Sequence, residues 1–405
     1  MIHIGVDATC WTNDRGYGRF TRSLITALAA RRGDFRYTLV FDRPPEFAPP
    51  PGVEAISADL DASSAKTADA TRSPLRMLKT ARRAAAAKFD VFFYPAVFSY
   101  YPLPARTPCV VCFHDATAER FPKLIFPSRL NSFFWSVKTA AARLQSTRAM
   151  TISASSARDL ENILKIPAGR IDIITEGPDA AFRPMDIDRA RVRAEFDIPA
   201  DAPTLVYVGG FNRHKNVLAL LNAMKKVARA RADAVLVVVG DLSGRGFWDN
   251  RAELLGAVKD DAALSKCVKF PGYVPDAALA ELFNAADAMV FPSLWEGFGL
   301  PAVEAMACRL PVLASNISSL PEIVGEGGKF FDPYNEDEIA ACVTDFLNAP
   351  KEWASMRARA GAQAKKFTWE RAAELAEASF RKAARLPPRT PPKPANAIAR
   401  VNTGR

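Results

Sequence analysis

Short apolar runs of strand length alternate with helix-length stretches along nearly all of this 405-residue chain, and the pattern breaks once before starting again. That alternation is the mark of parallel sheets joined by crossover helices. In the first half the runs are Ile2 to Asp7, Tyr37 to Phe41, Val91 to Tyr94, Cys109 to Phe113, Met150 to Ile152 and Ile171 to Ile174. Thr175 to Pro203 then gathers Gly177, Pro178, Pro184, Pro199 and Pro203 around a short charged helix at Asp188 to Phe196, which reads as a hinge. The pattern resumes at Thr204-Leu-Val-Tyr-Val-Gly-Gly, with a helix from Val217, a strand at Ala234 to Val239 and further strands near Val268, Met289 and Pro311. The fold class is therefore α/β, with two Rossmann-like doubly wound domains facing across a cleft, residues 1-180 and 190-366. Residues 386-405, proline-rich and basic, read as a disordered tail. Ligands of open parallel sheets sit beyond the carboxyl ends of the strands, so a molecule in the cleft would be gripped from both sides.

The most specific string is Ser293-Leu-Trp-Glu296-Gly297-Phe298-Gly299-Leu300-Pro301-Ala-Val-Glu304. It follows the apolar run Ala288 to Phe291, and Pro301 opens a helix over Ala302 to Cys308, since a first-turn proline needs no amide donor. The string is thus a strand-loop-helix joint. Gly297 and Gly299 let backbone approach a ligand closely, and the positive end of the helix favours an anionic group such as a diphosphate. Glu296 at the loop entrance and Glu304 one turn into the helix supply acceptors for sugar and ribose hydroxyls. The site reads as a donor site for a nucleotide sugar.

Gly209-Gly210-Phe-Asn-Arg213-His-Lys215-Asn216 also joins a strand to a helix, with Asn216 as its expected cap. Arg213 offers phosphate a planar fork and Lys215 a compact charge, and both would stabilise the negative charge of a departing diphosphate. In the first half, His114 and Asp115 end the strand that begins at Cys109. His114 is expected to touch the transferred sugar, with Asp115 orienting it or binding a hydroxyl. Asp14-Arg15-Gly16-Tyr17-Gly18-Arg19 precedes a helix over Phe20 to Ala30 and reads as another glycine loop at a helix start. Ser153-Ala-Ser-Ser supplies hydroxyl caps for a helix over Ala157 to Leu164.

No run approaches the roughly 20 apolar residues of a spanning helix, and the chain opens on a strand, so a cytoplasmic location is expected. Six scattered cysteines suggest reduced thiols; Cys109 and Cys112 have redox-motif spacing but should point to opposite faces of one strand. The net charge of +10 suits nucleic acid, anionic lipid or phosphorylated ligands alike. No helix-turn-helix, zinc-finger or aromatic RNA-binding pattern accompanies it, so nucleic acid is not expected. Arg72 to Lys88 carries six basic residues and no acidic one, with Leu75 and Leu78, and reads either as a membrane-surface helix or as a solvated face.

With these motifs in view, the chain resembles the retaining glycosyltransferases of family four, which have the GT-B fold and include bacterial mannosyl- and glucosyltransferases. The likeness spans about residues 1 to 385. It rests on Gly16-Tyr-Gly-Arg-Phe-Thr-Arg, on Phe113-His-Asp-Ala-Thr with Phe121-Pro, on Thr151-Ile-Ser-Ala-Ser-Ser-Ala-Arg-Asp-Leu, and on the Arg213–Lys215 and Glu296–Glu304 motifs. Phe367-Thr-Trp-Glu-Arg resembles the start of the last helix of this fold, which implies that residues 368-385 cross back onto the N-terminal domain. Glu176-Gly-Pro-Asp179 departs from the family's Asn-Gly-Val-Asp.

The resemblance implies that Arg213 and Lys215 bind the diphosphate, Glu296 lies near the donor sugar and Glu304 holds the ribose. It implies transfer of a hexosyl group with anomeric configuration kept, by a leaving-group-assisted front-face mechanism, with no cofactor and no metal. The donor would be GDP-mannose or a UDP-hexose, mannose slightly preferred, and the acceptor a saccharide or lipid-linked saccharide in surface polysaccharide assembly, including lipopolysaccharide. Peripheral contact with an anionic membrane, on its inner face, would go with such an acceptor. Two rival readings are a GT-B epimerase or hydrolase acting on the donor alone, and a non-catalytic sugar-nucleotide binding protein.

Overall fold

The computed structural model describes residues 1–13, 16–31, 33–43, 48–58, 74–104, 107–243 and 250–385. Asp14, Arg15, Arg72 and the tail 386-405 lie outside the described residues. The first sheet is formed by β1 (Ile2–Asp7), β2 (Phe35–Phe41), β3 (Glu54–Ser57), β4 (Val91–Tyr94), β5 (Cys109–Cys112), β6 (Ser146–Thr151) and β7 (Ile171–Ile173). Its spatial order is β3-β2-β1-β4-β5-β6-β7, so the winding reverses between β1 and β4. The second sheet is formed by β8 (Thr204–Val208), β9 (Val235–Val239), β10 (Val268–Gly272), β11 (Ala288–Phe291), β12 (Val312–Ser315) and β13 (Gly328–Phe331). Its order is β10-β9-β8-β11-β12-β13, with the reversal between β8 and β11. Neighbouring strands pair in parallel throughout, from β1 on β2 to β12 on β13. Both units are Rossmann-like.

Two strands are not announced by the alternation of the sequence. β3 is a four-residue edge strand that stays half-exposed, so it lacks an apolar run. β13 opens on Gly328, where a Cβ would collide with the carbonyl of Val312, and glycine in a strand reads from sequence as a turn. Cys109 and Cys112 belong to core clusters on opposite faces of the first sheet, as alternation along a strand requires. The serine-rich helix starts at Ala154, three residues early, because Ser153 already accepts the amide of Ser156.

The linker does not swing free. Asp188 caps the helix Arg189–Glu195 by accepting the amides of Ala190 and Arg191. The buried Arg193 of that helix donates to Ala202 O at 3.0 Å, and Arg189, Arg193 and Arg357 converge on the buried Asp287 ahead of β11. The linker helix is thereby fixed to the second unit. The last helix, Trp369–Ala383, is capped by Thr368 and packs on the first unit. Its Phe380 is fully buried, edge-on to Phe93 at 5.2 Å, and burial of a side chain of that size stabilises by about 2–3 kcal/mol. Its Ser379 and Lys382 donate to Asp172 of β7 beside Arg148. Burial pushes the Asp172 carboxyl up, but these hydrogen bonds outweigh it and hold the group below its usual range. Gly177 sits where the chain returns: a Cβ there would stand 2.6 Å from the amide nitrogen of Trp369.

The first helix begins at Gly16, not at Phe20, so Gly16 and Gly18 lie in its first turn instead of in a loop before it. Around Gly16 there is open space, whereas a Cβ on Gly18 would collide with the carbonyl of Asn13 and stand 2.8 Å from that of Cys10. An alanine inside a helix normally stabilises relative to glycine by about 0.5–1 kcal/mol. Gly16→Ala should therefore be neutral or mildly stabilising, and Gly18→Ala should destabilise by about 1–3 kcal/mol through overpacking. Urea unfolding of the two variants checks the difference in sign.

Candidate active site

The two best sequence motifs meet at the reversal point of the second sheet, because β8 and β11 are neighbours there and each hands its chain to a loop at the carboxyl end. The loop after β8 carries Gly210, Arg213, His214 and Lys215 into the helix Val217–Ala230. The loop after β11 carries Glu296, Gly297, Phe298 and Gly299 into the helix Leu300–Ala307, which has proline in its first turn. Leu294 N donates to His214 O at 2.8 Å, and Lys215 Nζ lies 2.7 Å from Glu296 Oε1, so the loops are stitched together by backbone and by charge. Ser319 Oγ donates to the carbonyls of Glu296 and Phe298 from below. Gly299 adopts a φ of 101°, the left-handed region that favours glycine, and Leu300 follows it as the first helical residue. Asn216 does not cap its helix. It is itself left-handed at φ 58° and donates to Pro292 O and Pro333 O, locking the two loops to the end of β13.

Arg213 and Lys215 diverge. Arg213 is 66 % exposed and pairs with Glu253 at 3.2 Å, away from Glu296, so only Lys215 faces the loop after β11. Burial pulls His214 down to about 4, which leaves it neutral near pH 7. Gly210 provides the carbonyl that accepts from the buried Tyr207 hydroxyl at 2.8 Å.

Across the cleft, β5 delivers His114 and Asp115. His114 is buried between the edges of the Tyr17 and Phe20 rings, with centroids at 5.0 and 4.5 Å. Its orienting partner is not Asp115. Nε2 lies 2.8 Å from Pro95 O, an acceptor, so that nitrogen carries the proton and Nδ1 is left as an acceptor. Burial lowers the affinity of the ring for a second proton. Asp115 instead accepts the amide of Thr117 at 2.8 Å and turns its other oxygen toward Gly297.

Three residues that spacing did not single out complete the cleft. Arg19, one turn into the first helix, pairs with the buried Glu304 at 2.7 Å and with Asp276 at 3.2 Å, both in the second unit. Burial pushes the Glu304 carboxyl up to about 8, with Arg19 opposing it only in part. Glu322 accepts the amides of Ala154 and Ser155 at 3.2 and 3.0 Å, so one unit caps a helix of the other. Trp295 lies under the Arg120 guanidinium at 3.9 Å. Nothing in their spacing reveals that their partners lie in the other unit. Ser293 Oγ, Trp295 Nε1 and Thr175 Oγ1 are buried and make no hydrogen bond within the protein.

Glu176, the departure from the family pattern, stands 3.8 Å from His114 Nδ1. Burial, with Glu296 and Asp115 acting in the same direction and Arg19 against, pushes its carboxyl up to about 8. The pair then offers one acceptor and one donor side by side, which a single hydroxyl group can meet together. The same shift has a stability consequence. The unfolded carboxyl ionises near 4.5, so between about pH 4.5 and 8 the unfolded state has lost a proton that the folded state keeps, and stability falls as pH rises. Glu176→Gln removes this slope. The variant should gain on the parent across that window, reaching on the order of a few kcal/mol by pH 8 and staying level above it. Melting temperatures of both proteins from pH 4 to 9 give the difference curve.

The comparisons with known proteins agree with this fold. The pattern of the family "Glycosyltransferase Family 4" matches residues 15–182, and that of "Glycosyl transferases group 1" matches residues 188–367. The chain is similar to O-antigen chain mannosyltransferase B of Escherichia coli, 29 % identical over 367 residues, covering 88 % of this chain and 93 % of that one. It is also similar to the D-inositol 3-phosphate glycosyltransferase of Segniliparus rotundus, 35 % identical over 223 residues, covering 53 % of this chain and 48 % of the relative. Among solved structures, sucrose-phosphate synthase of Thermosynechococcus elongatus superposes with a TM-score of 0.74 at 22 % identity, covering 94 % of this chain and 99 % of that one. Anabaena HepE, solved with UDP, superposes with a TM-score of 0.70 at 18 % identity, covering 94 % and 100 %. With both halves matched and both Rossmann-like units in place, the chain belongs to the GT-B glycosyltransferases, a hexosyltransferase built from a family 4 domain and a group 1 domain.

Proposed function

We propose that the protein is a retaining hexosyltransferase that moves a mannosyl or glucosyl group from GDP-mannose or a UDP-hexose to a saccharide or lipid-linked saccharide acceptor, in surface polysaccharide assembly on the cytoplasmic side of a membrane. The observation that carries this reading is the Lys215–Glu296 pair at the reversal point of the second sheet, facing His114 and Asp115 across Gly297. The relative named O-antigen chain mannosyltransferase B supports the mannose and polysaccharide parts, and the fold neighbour solved with UDP-glucose supports a nucleoside diphosphate hexose.

The diphosphate lies at the positive end of the helix Leu300–Ala307, with Lys215 beside it and Arg213 swinging in from Glu253. An exposed ion pair is worth about 0–1 kcal/mol, so Arg213 leaves Glu253 at little cost. Glu304 takes the ribose hydroxyls once Arg19 yields, and Glu296 faces the hexose. One hexose hydroxyl donates to His114 Nδ1 and accepts from the Glu176 acid. As the anomeric C–O bond to phosphate breaks, the acceptor oxygen bonds the same face of that carbon and its proton passes to the departing diphosphate oxygen. Lys215, Arg213 and the helix dipole stabilise the growing negative charge, the task a divalent metal performs elsewhere, and closure of the two units excludes water. Two carboxylates flanking the scissile bond are the device of glycoside hydrolysis, and here Glu296 and Glu304 are engaged with hydroxyls.

A thermal-shift panel of nucleotide sugars tests the donor. One of GDP-mannose, UDP-glucose and their relatives should raise the melting temperature by a few degrees at about 100 times its Kd, and uniform silence across the panel would overturn the reading. Lys215→Ala should lower kcat/KM by about 10²- to 10³-fold, measured as release of nucleoside diphosphate with acceptor present. Arg213→Ala should leave the melting temperature of the ligand-free protein nearly unchanged, because its ion pair is exposed, and yet weaken the donor shift.

A further inference from the structure

The helix Arg129–Gln145 leaves large apolar side chains in solvent: Leu130, Phe133 and Phe134 are each 61 % exposed, Val137 51 % and Leu144 77 %. At 3.6 residues per turn these five fall within one stripe roughly 100° wide. The opposite side of the helix is already used, since Thr139 and Ala142 are buried and Trp135 packs on the core of the first unit. The helix is therefore apolar on two faces, one filled and one open. A contiguous open patch of this kind marks an interaction surface.

Charge selects the occupant. From Arg120 to Arg158 the sequence contains no aspartate and no glutamate. Arg120 and Arg148 are tied to Asp159 and Asp172, while Arg129 and Lys138 flank the stripe on its own helix. The basic helix Pro74–Ala86 lies over the same face of the first sheet, with Ala81 and Ala84 in the same core cluster as Ala142. Its Lys79, Arg82 and Arg83 are exposed, and Leu75 and Leu78 are 72 % and 45 % exposed beside them. A second copy of this chain is disfavoured, because a two-fold contact would set one basic helix against another. An anionic bilayer satisfies both features, taking the apolar stripe into the acyl boundary and the cations among the headgroups.

The patch also runs into the cleft. Lys138 donates to Phe98 O at 3.1 Å and stands over its ring, Phe98 is 49 % exposed and stacks on Tyr17 at 6.1 Å, and Tyr17 meets His114 at 5.0 Å. We infer that the face formed by the helices Arg129–Gln145 and Pro74–Ala86 docks on an anionic lipid bilayer, and that Phe98 and Tyr17 line the passage from the bilayer to His114. Use of that passage by a lipid-linked acceptor rests on the function proposed above.

Flotation of the full chain with vesicles of phosphatidylcholine, with and without phosphatidylglycerol, tests the docking. The parent should float with the anionic vesicles and less so at high salt. Phe133→Asp combined with Phe134→Asp should weaken partitioning by about tenfold or more while leaving the melting temperature and the nucleotide-sugar shift as in the parent. Arg82→Glu with Arg83→Glu should weaken binding to anionic vesicles only. No flotation of the parent, or equal flotation of the Phe133/Phe134 variant, overturns the inference. So does a dimer in sedimentation without lipid that this variant converts to monomer, which would assign the face to a second copy. Flotation needs neither donor nor acceptor, so docking without glycosyl transfer sinks the proposed function alone, and transfer to a soluble saccharide without docking sinks this inference alone.

Discussion

The close approach of the two units at Gly297 is the constraint on which the rest of the site depends. A Cβ at that position would stand 2.9 Å from the Asp115 carboxylate and 3.2 Å from the His114 carbonyl, so the loop after β11 lies tightly against the strand end of β5 and a larger residue would make the Asp115 side chain shift. Ser156 Oγ fixes the contact by donating to Gly297 O at 3.1 Å. From this point the other cross-unit contacts fan out: Arg19 to Glu304 on one side, Glu322 to the amides of Ala154 and Ser155 on the other, and Arg120 over Trp295 between them.

Charge within the cleft is held in a balance that a ligand can shift. Asp115, Glu176, Glu296 and Glu304 influence one another there, against Arg19 and Lys215 and two histidines that burial keeps neutral. Buried ion pairs contribute little net stability, because desolvation offsets most of their attraction, but each is costly to break by removing one partner. Such pairs suit a site whose cations must be released to an incoming anion. Lys215 and Arg19 are each held by a carboxylate that polyhydroxyl groups can satisfy instead.

The two sides of the first unit are built for different neighbours. Its carboxyl edge carries the cleft, and its outer helical layer exposes apolar side chains on the helix Arg129–Gln145 and basic ones on the helix Pro74–Ala86. Among the described residues no helix is long and apolar enough to cross a membrane.

Much of this protein is legible in its sequence, because strands and crossover helices are local patterns set by side-chain period. The eleven strands other than β3 and β13, the linker helix capped by Asp188, the strand-loop-helix joints at Glu296 and Lys215, and the strand end at His114 all follow from neighbours a few residues apart. β3 and β13 escape because an edge position and a glycine erase the apolar run. The roles of Gly18 as a packing point, of Pro95 as the partner of His114, and of Asn216 as a lock between loops were decided by tertiary structure alone. So were the divergence of Arg213 from Lys215 and the pairing of Arg19 with Glu304, which joins residues 285 positions apart, since 304 less 19 is 285. The physical reason is that a hydrogen bond or ion pair across a cleft depends on distance in space, and a sequence records only distance along the chain.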